Sequence, residues 1–437
     1  MRRMRPATVY LIYETTGGFM FRLMATVYTV FIVVRLDPTP FQLLLLGTVL
    51  EGTYLLFELP TGVVADTMGR RTSVVIGVLG TGVAFVVLGL AGTYVVAIAS
   101  QVMFGIFATF TSGADVAWLT DEIGEEAARP LYVRAEQWYH VGALVAIAAS
   151  VALASIDLRL PVVLSGVGFI ALGVFLAVAM GEEGFTRRAR PEGERIHRTL
   201  VGTLKDGARE VRGHPVLWLI LVTAAIHGAS TEGFDRLSDF HLLKDIGLPS
   251  IGGLNRVVWF GILDGVGMLL GLGALSILKR RSHLRGHAAV ARILAVIDVL
   301  LVFGVVAFGV VGAFWAAVLA FWIVGALRSV RDPVFTAWVN QGLDPATRAT
   351  VNSMGTQSDA IGQTVGGPPL GIIASAISVP VALVVSGLLR LPTLALYARA
   401  IRRGSVGTLA PDEIDEELTL DEADEAEAPQ LPEIPGD

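Results

Sequence analysis

The sequence predicts an all-α membrane protein with twelve transmembrane helices in two pseudo-symmetric six-helix bundles. Three observations predict it. Hydrophobic residues make up 53% of the chain against 16% charged, with a mean hydropathy of +0.65. Apolar runs of membrane-crossing length recur along the whole sequence. Threaded alternately, these runs leave the basic loops on one side.

The first set of runs lies near residues 8–34, 41–65, 73–92, 95–119, 131–156 and 160–180, and the second near 214–240, 253–278, 288–310, 313–340, 350–377 and 379–401. Met1-Arg2-Arg3-Met4-Arg5 precedes a run too long for a signal-peptide core and without a small-residue cleavage site, so it reads as a retained span. Residues 1–180 then form an N-terminal bundle and 214–404 a C-terminal one, joined by a charged linker, 181–213. The segment 405–437 is rich in Glu, Asp, Pro and Ala and reads as a disordered acidic tail, because it cannot bury enough apolar surface to fold. That tail hides a basic remainder behind the formal net charge of -6.

Arg2, Arg3, Arg5, Arg70-Arg71, the linker, Lys279-Arg280-Arg281 and Arg402-Arg403 share one side, whereas loops such as Arg35-Leu36-Asp37-Pro38 on the other are short and nearly neutral. The expectation is a bacterial inner membrane protein with both termini cytoplasmic. The two halves match weakly at a shift of 220, which aligns Gly105 with Gly325, Trp118 with Trp338, Gln137 with Gln357 and Gly142 with Gly362.

Between the second and third runs stands Gly62-x-x-x-Asp66-x-x-Gly69-Arg70-Arg71, expected as a tight polar loop between antiparallel helices. Its glycines permit a sharp turn and its Asp66 can accept from helix-end amides or pair with a cation. The pattern and its place resemble the signature loop of the major facilitator superfamily. The resemblance implies two parallel six-helix repeats, a binding cavity at their interface near midplane, and alternating access. It also implies that Asp121, at the end of the fourth run, pairs with Arg70 as a conformational gate. The stretch Gly366-Gly367-Pro368-Pro369 resembles the glycine-proline motif of drug exporters, displaced from the fifth span to the eleventh. Where those exporters carry a buried arginine in the fourth span this chain has Gln101, and in both departures it looks more like macrolide- and tetracycline-efflux-like members.

Charges inside spans cost about 3 kcal/mol on insertion scales and are functional candidates by default. Glu51, Tyr54 and Glu58 share one face of the second span, as proton-exchanging carboxylates or as partners of a neighbouring arginine. Glu232, Asp235, Arg236 and Asp239 share a face of the seventh, unless that span ends earlier and the stripe is a solvated turn. Arg328, Arg331 and Asp332 in the tenth are expected to bridge to those acids or to meet an anionic group on a substrate. Asp115, Trp118 and Glu122 share a face, as do Glu136 and His140, with His140 either a packed polar residue or a proton relay. Glu14 and Arg22 border each other in the first span; Glu14 has the depth of the embedded acid of drug-proton antiporters, which makes it the leading proton-carrier candidate.

There is no phosphate-binding loop, no metal-ligand spacing and no cysteine, so neither ATP drive nor a cofactor or metal site is expected. The reading is a secondary transporter, not an enzyme, that exports amphipathic drug-like or secondary-metabolite molecules in exchange for protons. Its partners are a small-molecule substrate, protons and the lipid bilayer, with no nucleic acid; oligomeric state is unread. A nutrient importer of the same fold, or a non-transporting sensor acting through its tail, are the alternatives.

Overall fold

The computed structural model describes residues 4–184, 215–251, 254–281, 287–340 and 345–403. The linker from residue 185, the segment 282–286 after Lys279-Arg280-Arg281 and the acidic tail lie outside the described residues. The first six crossings are α1 (Pro6–Leu36), α2 (Pro40–Met68), α3 (Arg70–Gly89), α4 (Tyr94–Thr111) broken into α5 (Ala114–Ile123), α6 (Glu125–Ala154) and α7 (Arg159–Ala179). The next six are α8 (Pro215–Phe240), α9 (Arg256–Arg281), α10 (His287–Val310), α11 (Phe314–Asn340), α12 (Pro345–Ala376), and α13 (Val379–Leu388) broken into α14 (Leu391–Arg403). Ten of the twelve crossings are by themselves long and apolar enough to span a membrane. The other two, α8 and α12, carry polar side chains within their spans, Glu232, Asp235 and Asp239 on α8 and Asp359 and Gln363 on α12.

Local chemistry sets the turns. Thr39 caps α2 through a reciprocal pair with Gln42, with Pro40 at the first helical position. Thr93 accepts from the Val96 amide ahead of α4, and Ser378 from the Val381 amide ahead of α13. One expectation is corrected here. The polar loop around Asp66 is not a loop, because α2 runs through Gly62 and Asp66 to Met68 and only Gly69 separates it from α3. Gly69 turns the chain at φ +107°, a conformation that disfavours any side chain.

Packing repeats between the halves. The pairs α1 with α6, α3 with α7, α2 with α4 and α3 with α4 recur as α8 with α12, α10 with α13, α9 with α11 and α10 with α11. The N-terminal core centres on Phe31, Phe85 and Trp118, and the C-terminal cores on Phe234, Phe308 and Trp338. The bundles meet where α2 packs on α12 and α6 on α9.

The side on which α1 begins and α14 ends is called proximal here, and the other distal. Distal bridges join the bundles: Lys244 Nζ reaches Asp37 at 3.0 Å, Asn255 donates to Ser155 at 3.2 Å, and the Phe41 amide donates to Ser375 Oγ at 2.9 Å.

Helix association in lipid depends on close packing of small residues, since lipid tails are as apolar as leucine. A Cβ added at Gly362 would strike the Ala225 carbonyl on α8, whereas one at Gly62 would meet open space. Gly362→Leu is therefore expected to cost about 1–3 kcal/mol by overpacking and to lower the melting temperature of the purified protein, and Gly62→Leu to leave it unchanged. Equal melting temperatures for the two variants would contradict this packing.

Candidate functional site

A cavity of ≈ 590 Å³ lies between the bundles. Its charged lining is Arg22 from α1, Asp235 and Asp239 from α8, Asp264 from α9, and Arg328 and Asp332 from α11. Its aromatic walls are Phe21, Tyr139, Phe234, Phe321 and Trp322. An apolar pocket with a few placed charges is the usual form of a small-molecule site.

Most of these charges are paired. Arg22 binds Asp264 across the bundle interface, and Thr26 adds a hydroxyl to the same carboxylate at 3.0 Å. Arg328 grips Asp235 with both terminal nitrogens, one of them at 2.9 Å. Deeper toward α2, Arg236 Nε binds Glu232 at 3.1 Å and a terminal nitrogen lies 3.8 Å from Glu51 of the opposite bundle. Gly47 makes that approach possible, since a side chain there would collide with Glu232 and Arg236. Glu232 is 0% exposed, and its Oε2 has no hydrogen-bond partner. Asp239 lies beside Asp264 and Arg22 and has no ion-pair partner among the described residues.

The net result is an excess of acid. Glu51, Glu232, Asp235, Asp239 and Asp264 face only Arg22, Arg236 and Arg328. Unpaired charge inside a membrane span is costly.

The structure gathers a second acidic group inside the N-terminal bundle. Tyr13 donates to Asp115 at 3.3 Å, and Glu14 sits beside Tyr10 and Asp115. His140 Nε2 stands 3.1 Å from Glu136, and the ring also lines the central cavity. Glu58, half-buried on α2 beyond Tyr54, has no ion-pair partner among the described residues.

At the proximal end Arg70 Nε donates to Asp121 at 2.8 Å, and a terminal nitrogen reaches Asp66 at 3.5 Å. Arg71 donates to the Ala177 carbonyl at 2.5 Å, and its amide to Glu182 at 2.9 Å. The chain leaving α7 is thereby tied to the α2–α3 turn.

Three of the candidate groups lie outside the central cavity, and one of them, Arg331, departs from its expected pairing. Trp118 is a core residue 2% exposed, whose indole donates to the Gly181 carbonyl at 2.7 Å, so it does not line the cavity. Arg331 does not bridge to the acids of α8; it binds Asp298 of α10 at 2.9 Å. The helix α12 remains unbroken through Gly366, Gly367, Pro368 and Pro369. The glycines there are packing surfaces, Gly366 against Ala229 of α8 and Gly367 against Thr48 of α2. The stripe on α8 lies within the helix and is not a solvated turn: Glu232 is buried, Arg236 and Asp239 are half-buried, and Asp235 opens into the cavity.

Residues not singled out in the sequence supply further partners in the spans around the cavity. Asp298 accepts from Arg331, from Arg390 at 3.0 Å and from Thr393 at 3.0 Å. Asp264 holds Arg22, and Asp359 accepts from Gln363 at 2.7 Å while lying 3.0 Å from His227. Each lacks another charge at helical spacing in its span, so there was no stripe to read, although its depth alone was a signal.

The comparisons agree with this architecture. Residues 15–366 match the profile of the Major Facilitator Superfamily. An uncharacterised MFS-type transporter of Bacillus subtilis (strain 168), YxaM, is 19% identical over 392 residues, covering 89% of this chain and 94% of that protein. Among solved structures, the nucleoside transporter NupG matches with a TM-score of 0.71 at 12% identity over 91% of this chain and 99% of that one. A bacterial homologue of the lysosomal transporter Spinster, in an inward-facing and occupied conformation, matches at 0.69 and 15% identity over 91% and 98%. A POT family transporter in complex with 5-aminolevulinic acid matches at 0.70 and 13% identity over 91% and 96%. With a family profile spanning most of its length and a repeated six-helix architecture around a central cavity, this chain belongs to the major facilitator superfamily of membrane transporters.

Proposed function

We propose that this transporter exchanges protons for amphipathic organic cations and exports them by alternating access. The observation that carries the proposal is the excess of carboxylates over guanidinium groups around an aromatic-walled central cavity. A carboxylate that holds a proton cannot also pair with a cation. Competition for one charge site favours exchange, because each ligand leaves as the other arrives. With protons driven inward, the organic cation moves outward.

On this reading the proximal side is cytoplasmic, the membrane is a bacterial inner membrane, and the distal bridges close the outer face. Residues 1–180 and 214–404 rock against each other, with 181–213 as their linker and 405–437 as a solvated tail. Asp239 takes the cation or the proton; Glu232 and Glu51 share the remaining surplus across the interface. Glu14, Asp115 and Glu136 give protons a separate acidic station in the N-terminal bundle. The Arg70–Asp121 pair, backed by Asp66, is the proximal gate, which must rearrange when that side closes.

In everted vesicles with an acidified lumen, adding a fluorescent organic cation is expected to release luminal protons while the dye accumulates. Asp239→Asn is expected to cut that exchange about tenfold or more, the scale of a lost charge-assisted bond. Undiminished exchange in the variant, or dye and protons moving in the same direction, contradicts the proposal.

In efflux-deficient cells the protein is expected to lower accumulation of the same dye until a protonophore is added, and Glu14→Gln to abolish the effect. A Glu14→Gln variant that exports like wild type removes Glu14 from the coupling path. Accumulation raised by the wild-type protein would instead identify an importer.

A further inference from the structure

A second cavity of ≈ 480 Å³ lies in the proximal half of the C-terminal bundle, among α8, α11 and α12. It meets the central cavity at Asp332, which lines both. We propose that it is a distinct binding site for an organic cation bearing N–H donors, such as an amidinium or primary ammonium on an apolar body.

The geometry assigns the donors and acceptors. Asp359 accepts from Gln363 through one oxygen and faces His227 Nδ1 through the other at 3.0 Å. A carboxylate in that position holds the imidazole proton on Nδ1, so neutral His227 presents the lone pair of Nε2. Nε2 is buried and has no hydrogen-bond partner, and Asp332 Oδ1 lies 3.8 Å from it. That distance is too long for a direct hydrogen bond. Two N–H groups of one amidinium, or of one ammonium, can donate to Nε2 and Oδ1 together.

Charge points the same way. With His227 neutral, Asp235, Asp298, Asp332 and Asp359 face Arg328, Arg331 and Arg390 around this side of the bundle. One carboxylate is therefore left over, and one cation balances it. Opposite these groups the wall is apolar, formed by Ile220, Phe335, Val339 and Val351. The site thus selects for N–H donors, whereas the central cavity asks only for a cation.

Calorimetric titration of the purified full chain with benzamidine and with tetraphenylphosphonium, a cation that has no N–H, tests the assignment. Benzamidine is expected to bind at two sites and the phosphonium at one. His227→Phe removes the acceptor, and Val351→Phe fills the cavity from its apolar wall. Each is expected to weaken one benzamidine site about tenfold or more while leaving phosphonium binding unchanged, which also reports that the variant is folded. Asp239→Asn is expected to remove the other benzamidine site together with the phosphonium site. If the central-cavity reading alone fails, the phosphonium does not bind and benzamidine keeps one site that depends on His227. Benzamidine binding unaltered by both His227→Phe and Val351→Phe overturns the proposal. So does phosphonium binding at a site that His227→Phe removes, or benzoate occupying the site in place of benzamidine through Arg331.

Discussion

A carboxylate in the middle of a bilayer has to be neutralised, and the layout of this protein follows from how that is done. Burial takes the charge out of water at a cost that only a partner in good geometry offsets. Arg22, Arg236 and Arg328 supply three partners, and two of those arginines reach across the interface or sit opposite an acid that does. The same pairs therefore neutralise charge and hold the two bundles in register. What they leave over is Asp239 and a share of Glu232 and Glu51.

The rigid and the movable parts are built differently. Within the C-terminal bundle Asp298 is fully buried and takes three donors from α11 and the α13–α14 break. Removing one partner from such a group leaves an uncompensated buried charge, at about 3–5 kcal/mol, so Asp298 ties α10, α11 and α14 together. The interruption of the twelfth span at Leu389-Arg390 is what delivers Arg390 to Asp298. Between bundles the contacts are fewer and of a different kind: glycine-lined seams of α2 on α12, and single ion pairs such as Lys244–Asp37. Seams of that sort can slide or open without dismantling a core.

The sequence made the architecture legible because a bilayer imposes a length and an apolar composition on each helix, and both are written in linear order. Repeated packing was foreshadowed by the aligned Trp118 and Trp338, which prove to be core residues. Charges that come as stripes, Glu232 to Asp239 above all, could be placed on a face by spacing alone. Partners could not. Asp264, Asp298, Arg390 and Asp359 belong to no charged stripe in their spans, and their meaning depends on which helix lies opposite. The Gly62–Arg71 stretch misled in another way, since its polar residues suggested a loop although α2 continues to Met68 and a single glycine makes the turn. Polarity marks exposure to water at a helix end as readily as it marks a turn.

Proton release on ligand binding tests the central claim most directly. If surplus carboxylates at the midplane are protonated when the cavity is empty, a cation entering it must displace protons. Titrating the purified protein with tetraphenylphosphonium in weakly buffered solution near neutral pH, with a pH indicator present, should acidify the medium in proportion to the cation bound. Saturable binding with no proton release would contradict the account.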